Sequence, residues 1–337
     1  MSPPETPATG DEPQRVVFGR TLATLMAEDA RILVLDADLA NSTRADLVAA
    51  AFPDRFLQMG IAEQNLVGAA AGLATMGFRP WLSSFAVFLV ERALDQVRMQ
   101  VAQTGLPVRL AGGYSGLLTG FTGKTHQSVA DLAIMRAMPG MTVLAPADAG
   151  ECAAALRWAA AHDGPVYVRL ARDPVPAVFP PGPGDYDPAR ATWLRRGADL
   201  SLVGTGPQSG RLLEAARLLA ARGIQAGVLH LPALKPFDVG AVCAAAAPGL
   251  VVTVEEHSII GGLGSLVAET LAEARPTRVL RWGIPDVFGE SGPNGDLLEA
   301  FGLSAERVAA RVADLLAGRP AALLPAIPAF GSGRDAP

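Results

Sequence analysis

The chain has 337 residues, half of them hydrophobic, with 33 acidic against 28 basic side chains and a net charge of −5. That length suits two domains of ordinary size, and a mildly acidic chain without basic runs excludes nucleic acid as its main partner. Two cysteines, Cys152 and Cys243, lie in alanine-rich stretches; they read as small buried residues and form neither a disulfide framework nor a metal-ligand spacing.

In chain order, residues 1–14 are rich in Pro, Thr and acid, with no basic stretch leading into an apolar run. They read as a disordered tail and not as a signal peptide. No uninterrupted apolar run anywhere reaches the roughly 18 residues that span a bilayer, so a soluble, cytoplasmic protein without membrane contact is expected. The pattern predicts helix over 16–27, strand over 32–35, helix over 63–76 and strand over 78–85. Helix over 87–102, strands over 107–110 and 141–144, helix over 149–161 and strand over 166–169 follow. Short aliphatic runs alternating with longer alanine-rich ones are the signature of βα units and a mainly parallel sheet.

Residues 173–188 then carry six prolines, which bar helix and central strand alike. A proline-rich linker over 174–192 is therefore expected between a first domain, 15–173, and a second, 193–325. The alternation resumes with strands over 200–203, 227–230, 250–254 and 278–281 and helices over 210–221 and 263–274. The fold class is thus α/β, two domains with the second smaller, and 326–337 read as a fraying tail.

Among residues able to carry chemistry, Glu63 stands in Gly60-Ile61-Ala62-Glu63-Gln64-Asn65, directly ahead of a helix of small apolar residues. By itself it reads as a first-turn acid complementing the helix dipole. Phe85 and Phe88, three apart, suit either a core or the wall of a ligand pocket. Asp38 follows the first strand, where open α/β sheets bind ligands, but it reads equally as a turn or helix-cap aspartate. His126 closes the loop Gly120-Phe121-Thr122-Gly123-Lys124-Thr125-His126; a loop imidazole has no core to fill and titrates in the useful range. His162 and His230 read as structural, and His257 has no assigned role.

These blocks, taken with Arg92-Ala93-Leu94-Asp95-Gln96-Val97-Arg98, Thr125-His126-Gln127-Ser128-Val129-Ala130-Asp131 and Met135-Arg136-Ala137-Met138-Pro139-Gly140-Met141, resemble the pyrimidine-binding domain of the transketolase family of thiamine diphosphate enzymes. Val254 to Gly264 and Gly283 to Gly292 resemble that family's C-terminal domain, so the likeness covers roughly residues 15 to 320. The resemblance implies that Glu63 gives a hydrogen bond to the distal pyrimidine nitrogen of thiamine diphosphate, a proton-transfer role suited to a dry pocket. It further implies that Phe85 and Phe88 flank the pyrimidine, that Asp38 is an active-site acid, and that His126 contacts the donor's hydroxyls. Arg15, Ser42 and Arg172 match the family's grip on a substrate phosphate, for which guanidinium forks are apt.

Two departures stand out. Thr122 occupies the place of the acid that reads hydroxyl stereochemistry, and Gly112-Gly113-Tyr114-Ser115 stands where a further histidine is expected. The family's diphosphate motif, Gly-Asp-Gly with a later Asn that holds Mg²⁺ through oxygen ligands, is absent from the chain. The resemblance therefore implies a split transketolase: an N-terminal subunit with the diphosphate-binding domain and Mg²⁺, an α₂β₂ assembly, sugar phosphate substrates, no metal ligands here, and no activity alone. The β subunit of a 2-oxo acid dehydrogenase, a deoxyxylulose-phosphate synthase-like enzyme and a non-catalytic scaffold stand as alternatives, since fold alone does not guarantee activity.

Overall fold

The computed structural model describes residues 12–179 and 185–319; the expectations for 1–11, for 180–184 in the proline-rich segment and for 326–337 lie outside it. In chain order come α1 (Gln14–Glu28), β1 (Ile32–Asp36), α2 (Ala40–Thr43), α3 (Asp46–Ala51), β2 (Phe56–Gln58), α4 (Glu63–Thr75) and β3 (Arg79–Phe85). The expected helix over 87–102 is broken into π-helical Phe88–Arg92, α5 (Leu94–Gln96) and π-helical Val97–Ala102. β4 (Arg109–Gly113), α6 (Asp131–Ala137), β5 (Thr142–Leu144), α7 (Ala149–Ala161) and β6 (Val166–Arg169) complete the first part. Then follow β7 (Thr192–Arg195), β8 (Leu200–Thr205), α8 (Gln208–Ala220), β9 (Ala226–Leu231), β10 (Ala233–Lys235), α9 (Val239–Ala245), β11 (Leu250–Ser258), α10 (Leu263–Ala274), β12 (Arg278–Ile284), α11 (Asn294–Ala300) and α12 (Ala305–Leu316).

Among the described residues these strands form two sheets, ordered β10-β5-β6-β4-β3-β1-β2 and β12-β11-β8-β9-β7. Pairing is parallel throughout except for β10 against β5 and β7 against β9. Helices cover both sheets, as they must where strands are buried on both faces, and β1, β4, β6, β8 and β9 are buried along their whole length. The fold is α/β, with the sheets mainly parallel.

Two placements differ from the sequence reading. Gln14, which composition puts in the tail, is fully buried and opens α1, because its amide donates to Pro146 O at 2.8 Å and accepts from Ala171 N–H at 2.8 Å. β10 leaves no trace in the sequence pattern. Three residues from the second half of the chain add an antiparallel strand to the edge of the first sheet, and a segment that short gives no periodicity to read.

Polar side chains lock the two sheets together. His230 on β9 meets Glu151 of α7 at 2.9 Å through Nε2, while its Nδ1 lies 2.7 Å from Ser209 Oγ. Asp131, at the start of α6, takes Arg169 Nε at 2.8 Å and the Tyr167 hydroxyl at 2.7 Å, and Arg169 Nη2 reaches on to Glu256 O at 2.9 Å. Burial works against the Asp131 carboxylate, but the charges of Arg169 and His257 and the bonds from Arg169 and Tyr167 hold its pKa below the usual value.

Glu255 is buried on β11 and caps α10, accepting from Leu263 N–H at 2.7 Å and Gly264 N–H at 2.8 Å. Burial raises its pKa to about 7 against an ordinary 4.5, outweighing those two bonds. A carboxyl raised in the folded state stabilises fully below its unfolded pKa and loses that contribution as pH climbs through the folded one. The thermal midpoint is therefore expected to fall between pH 4.5 and 7, with this group responsible for about 3 kcal/mol. Glu255→Gln flattens that fall; an unchanged slope in the variant would show that Glu255 titrates normally.

Candidate functional site

The site is built on the carboxyl ends of four neighbouring strands. β6, β4, β3 and β1 lie side by side and parallel, so the residues that leave their ends, Arg172, Tyr114, Phe85 and Asp38, emerge along one edge. Open α/β sheets bind ligands at that edge. Asp38 (φ 65°) and Tyr114 (φ 56°) both adopt left-handed backbone, which costs a non-glycine residue on the order of 1–3 kcal/mol and tends to persist where the surroundings impose it. At Tyr114 the conformation is accompanied by a ring laid on Phe85, centroids 3.9 Å apart and planes within 16°.

An unbroken run of contacts links most of the sequence-predicted residues. Phe85 stacks against Phe88 at 5.9 Å, and the His126 imidazole meets both edge-on, at 5.9 and 5.5 Å. Arg92 lies 4.5 Å above the Phe88 ring and donates to Glu63 Oε2 at 2.8 Å. At the other end Arg172 sits 5.3 Å from the Tyr114 ring. Desolvation works against its charge, but the Tyr114 hydroxyl and Asp173 hold its pKa above the ordinary arginine value. The π-helical winding of Phe88–Arg92 carries Phe88 and Arg92 together to this cluster; such insertions recur at functional sites.

Glu63 itself is only 1% exposed, although Ile61 two residues earlier is 73% exposed. Its Oε1 is buried without a hydrogen-bond partner, and its side chain does not cap the first turn of α4, whose preceding residue is Ala62. A helix-dipole interaction contributes about 0.3–1 kcal/mol, whereas a buried unsatisfied polar atom costs about 1–3 kcal/mol. The dipole alone therefore does not account for a glutamate held this way.

Arg15, Ser42 and Arg172 are also neighbours. Gln14 ties α1 to Ala171, so residues 15 and 172 leave adjacent points, and Arg15 Nη1 donates to Ser42 O at 3.1 Å. The Nε groups of Arg15 and Arg172 are both buried without a hydrogen-bond partner among the described residues.

Two named residues stand apart from this cluster. The Asp38 side chain is exposed, and its N–H donates to Gln58 Oε1 at 3.0 Å. The buried acid at this strand end is Asp36, whose Oδ1 accepts from Leu39 N–H at 2.8 Å and whose carboxyl burial pushes upward in pKa. Thr122 turns its hydroxyl into its own loop, toward Thr119 Oγ1 at 2.5 Å and Thr119 O at 3.2 Å.

The second part of the chain grips the loop that carries His126. Glu256 Oε1 accepts from Leu117 N–H at 3.0 Å and Leu118 N–H at 3.3 Å, and Arg211 holds the other oxygen at 3.0 Å. Gln127 Nε2 donates to Glu290 O at 2.9 Å, Ser291 Oγ to Phe121 O at 2.8 Å, and Lys124 pairs with Glu290 at 3.3 Å. At Gly120 (φ +57°) a Cβ would lie 2.6 Å from Asn294 Oδ1 and 3.0 Å from Gly292 O, so this close approach requires glycine.

Sequence reasoning missed Arg92, Tyr114 and Asn294 as members of the site. Arg92 and Tyr114 lie in stretches that resemble the family or depart from it, yet nothing in their spacing points to Glu63 or Phe85. Among the described residues no group of three or more His, Cys, Asp or Glu is placed to hold a metal ion, and no helix is long and apolar enough to cross a membrane.

Comparison with known proteins bears on the family and the fold. The family profile "Transketolase, pyrimidine binding domain" matches residues 13–177, and "Transketolase, C-terminal domain" matches 189–308. A transketolase family protein of Sinorhizobium fredii is 41% identical over 92% of this chain and 91% of its own length. The 6-deoxy-6-sulfo-D-fructose transketolase subunit of a Clostridium species is 42% identical over 83% of this chain and 87% of its own. The solved structure of a split gene transketolase, an inactive β4 tetramer, superposes with a TM-score of 0.82 at 44% identity, covering 91% of this chain and 99% of that one. Likeness over nearly the whole length of both chains, in sequence and in fold, shows that this chain belongs to the transketolase family.

Proposed function

We propose that this chain is the C-terminal subunit of a split transketolase, moving a two-carbon ketol unit from a phosphorylated ketose to an aldose. The observation that carries the reading is Glu63 Oε1, a buried carboxyl oxygen without a partner, beside the aromatic wall of Phe85, Phe88 and Tyr114. That orphaned oxygen fits thiamine diphosphate, whose pyrimidine edge would complete its hydrogen bonding. When bound, the cofactor supplies the nucleophilic carbon for breaking and remaking the carbon–carbon bond.

This chain's residues do the positioning and the proton work. Arg92 fixes Glu63 Oε2, which leaves Oε1 as the atom that shares a proton with the pyrimidine nitrogen. Phe85 is packed between Tyr114 and Phe88; half-buried Phe88 keeps surface for a ligand ring and, with His126, excludes water. His126 Nδ1 lies 2.8 Å from Thr125 Oγ1, which orients the ring and leaves Nε2 for a donor hydroxyl. Arg15, Arg172 and Ser42 take the substrate phosphate, while Asp38, exposed and apart from both clusters, meets a ligand only if its side chain turns back over the end of β1. Thr122 meets substrate only if its loop turns its hydroxyl outward.

Mg²⁺ and the diphosphate are assigned to a separate N-terminal subunit, in an α₂β₂ assembly of cytoplasmic carbohydrate metabolism; relatives of similar length that are named as transketolase subunits support that assignment. The inactivity of the β4 tetramer formed by the split gene relative supports that dependence. The test is to assay the chain alone and mixed with a diphosphate-domain subunit, using ketose phosphates with aldose acceptors and, separately, pyruvate. Ketol transfer in the mixture alone is expected. Transfer by the isolated chain, or turnover of pyruvate in place of ketose phosphates, would overturn the reading.

A further inference from the structure

We infer that Asn294, at the start of α11 in the second domain, is a positioning residue for the phosphate-binding arginine Arg172. The inference rests on the proposed role of Arg172 and adds to it the residue that sets its aim. Asn294 Nδ2 donates to Asp173 Oδ2, and Asp173 Oδ1 accepts from Arg172 Nη1 at 2.5 Å. Both oxygens of one carboxylate are thereby committed, one to each neighbour. The Asn294 amide also donates to Leu118 O at 3.4 Å, so a single side chain touches both the strand end that carries Arg172 and the loop that carries His126.

The orientation of the amide is dictated by chemistry. A carboxylate accepts only, so the nitrogen of Asn294 must face Asp173 and its oxygen must face away. That oxygen is buried without a partner and points toward Gly120. A site kept at this cost is explained if the amide holds Asp173, and through it holds Arg172 turned over Tyr114 with Nε unpaired. Freed from Asn294, Asp173 can rotate and draw the guanidinium out of line.

The test uses the assembled two-subunit enzyme with Asn294→Ala and Asn294→Asp, the second of which keeps the volume but sets one carboxylate against another. KM for a phosphorylated ketose is expected to rise about tenfold in each, the loss of one charge-assisted contact, with kcat changed less than about threefold. Hydroxypyruvate, a donor without phosphate, is the control, and its KM should move less than about twofold. A merely structural role raises both KM values alike or leaves both unchanged, and either result would overturn the inference. Inorganic phosphate binding to the same complex, measured by calorimetry, should weaken about tenfold in both variants. That arm needs no turnover: if the wild type transfers no ketol unit the functional reading fails, while unchanged phosphate affinity sinks the role of Asn294.

Discussion

Glu63→Gln protein, assembled with a diphosphate-domain subunit, is expected to lose roughly 10²- to 10⁴-fold in kcat, the usual worth of a positioned proton-transfer group. Glutamine keeps the shape of the side chain and can still accept from Arg92, which holds Oε2 at 2.8 Å. What it cannot do is exchange a proton at the free position, which glutamine fills with a non-titrating amide NH₂. Assembly should be unaffected, as a sedimentation or mass-photometry measurement of the complex will show. A Glu63→Gln complex of normal size and full activity would remove the central claim. A fall in affinity for the assembled partner without a fall in kcat would instead make Glu63 an interface residue.

Asp131→Ala is expected to cost about 3–5 kcal/mol of stability, the range for breaking a buried ion pair, and to lower the thermal midpoint by about 10 °C. The pair is fully enclosed, with Arg169 Nε 2.8 Å from Asp131 Oδ2 and the Tyr167 hydroxyl on the same oxygen. Removing the acid leaves a buried guanidinium whose remaining anchor is Glu256 O. The cost lies in that stranded charge more than in the lost attraction. The double variant Asp131→Ala with Arg169→Met should therefore be more stable than Asp131→Ala alone, and calorimetry decides it; a double variant that is worse than the single would place the cost in packing.

Much of the fold and of the site is legible along the chain. Alternation of β-branched runs with alanine-rich ones is a local property, and α7, β6 and α10 begin and end where the pattern puts them. The ordered blocks around Glu63, Phe85, Phe88 and His126 carry the family. Failures come where local pattern is silent or overruled. The π-helical turns on either side of Leu94 leave no mark in the residue pattern, which reads as one continuous helix, and β10 is three residues paired to the edge strand β5. Asp38 and Thr122 are picked out by position alone, and their exposed or inward-turned side chains leave both outside the aromatic and arginine clusters.

The sequence by itself determined the fold class, the family and the set of residue types at the site, because period, turn chemistry and motif order are written along one dimension. Only the tertiary structure decided which oxygen of Glu63 is free, that Arg92 secures the other, that Tyr114 caps Phe85, and that Asn294 reaches Asp173 across 121 residues of chain. Those facts depend on strand register and on how the two sheets pack. A hydrogen bond needs its two atoms within about 3 Å at a workable angle, and separation along the chain carries no information about that.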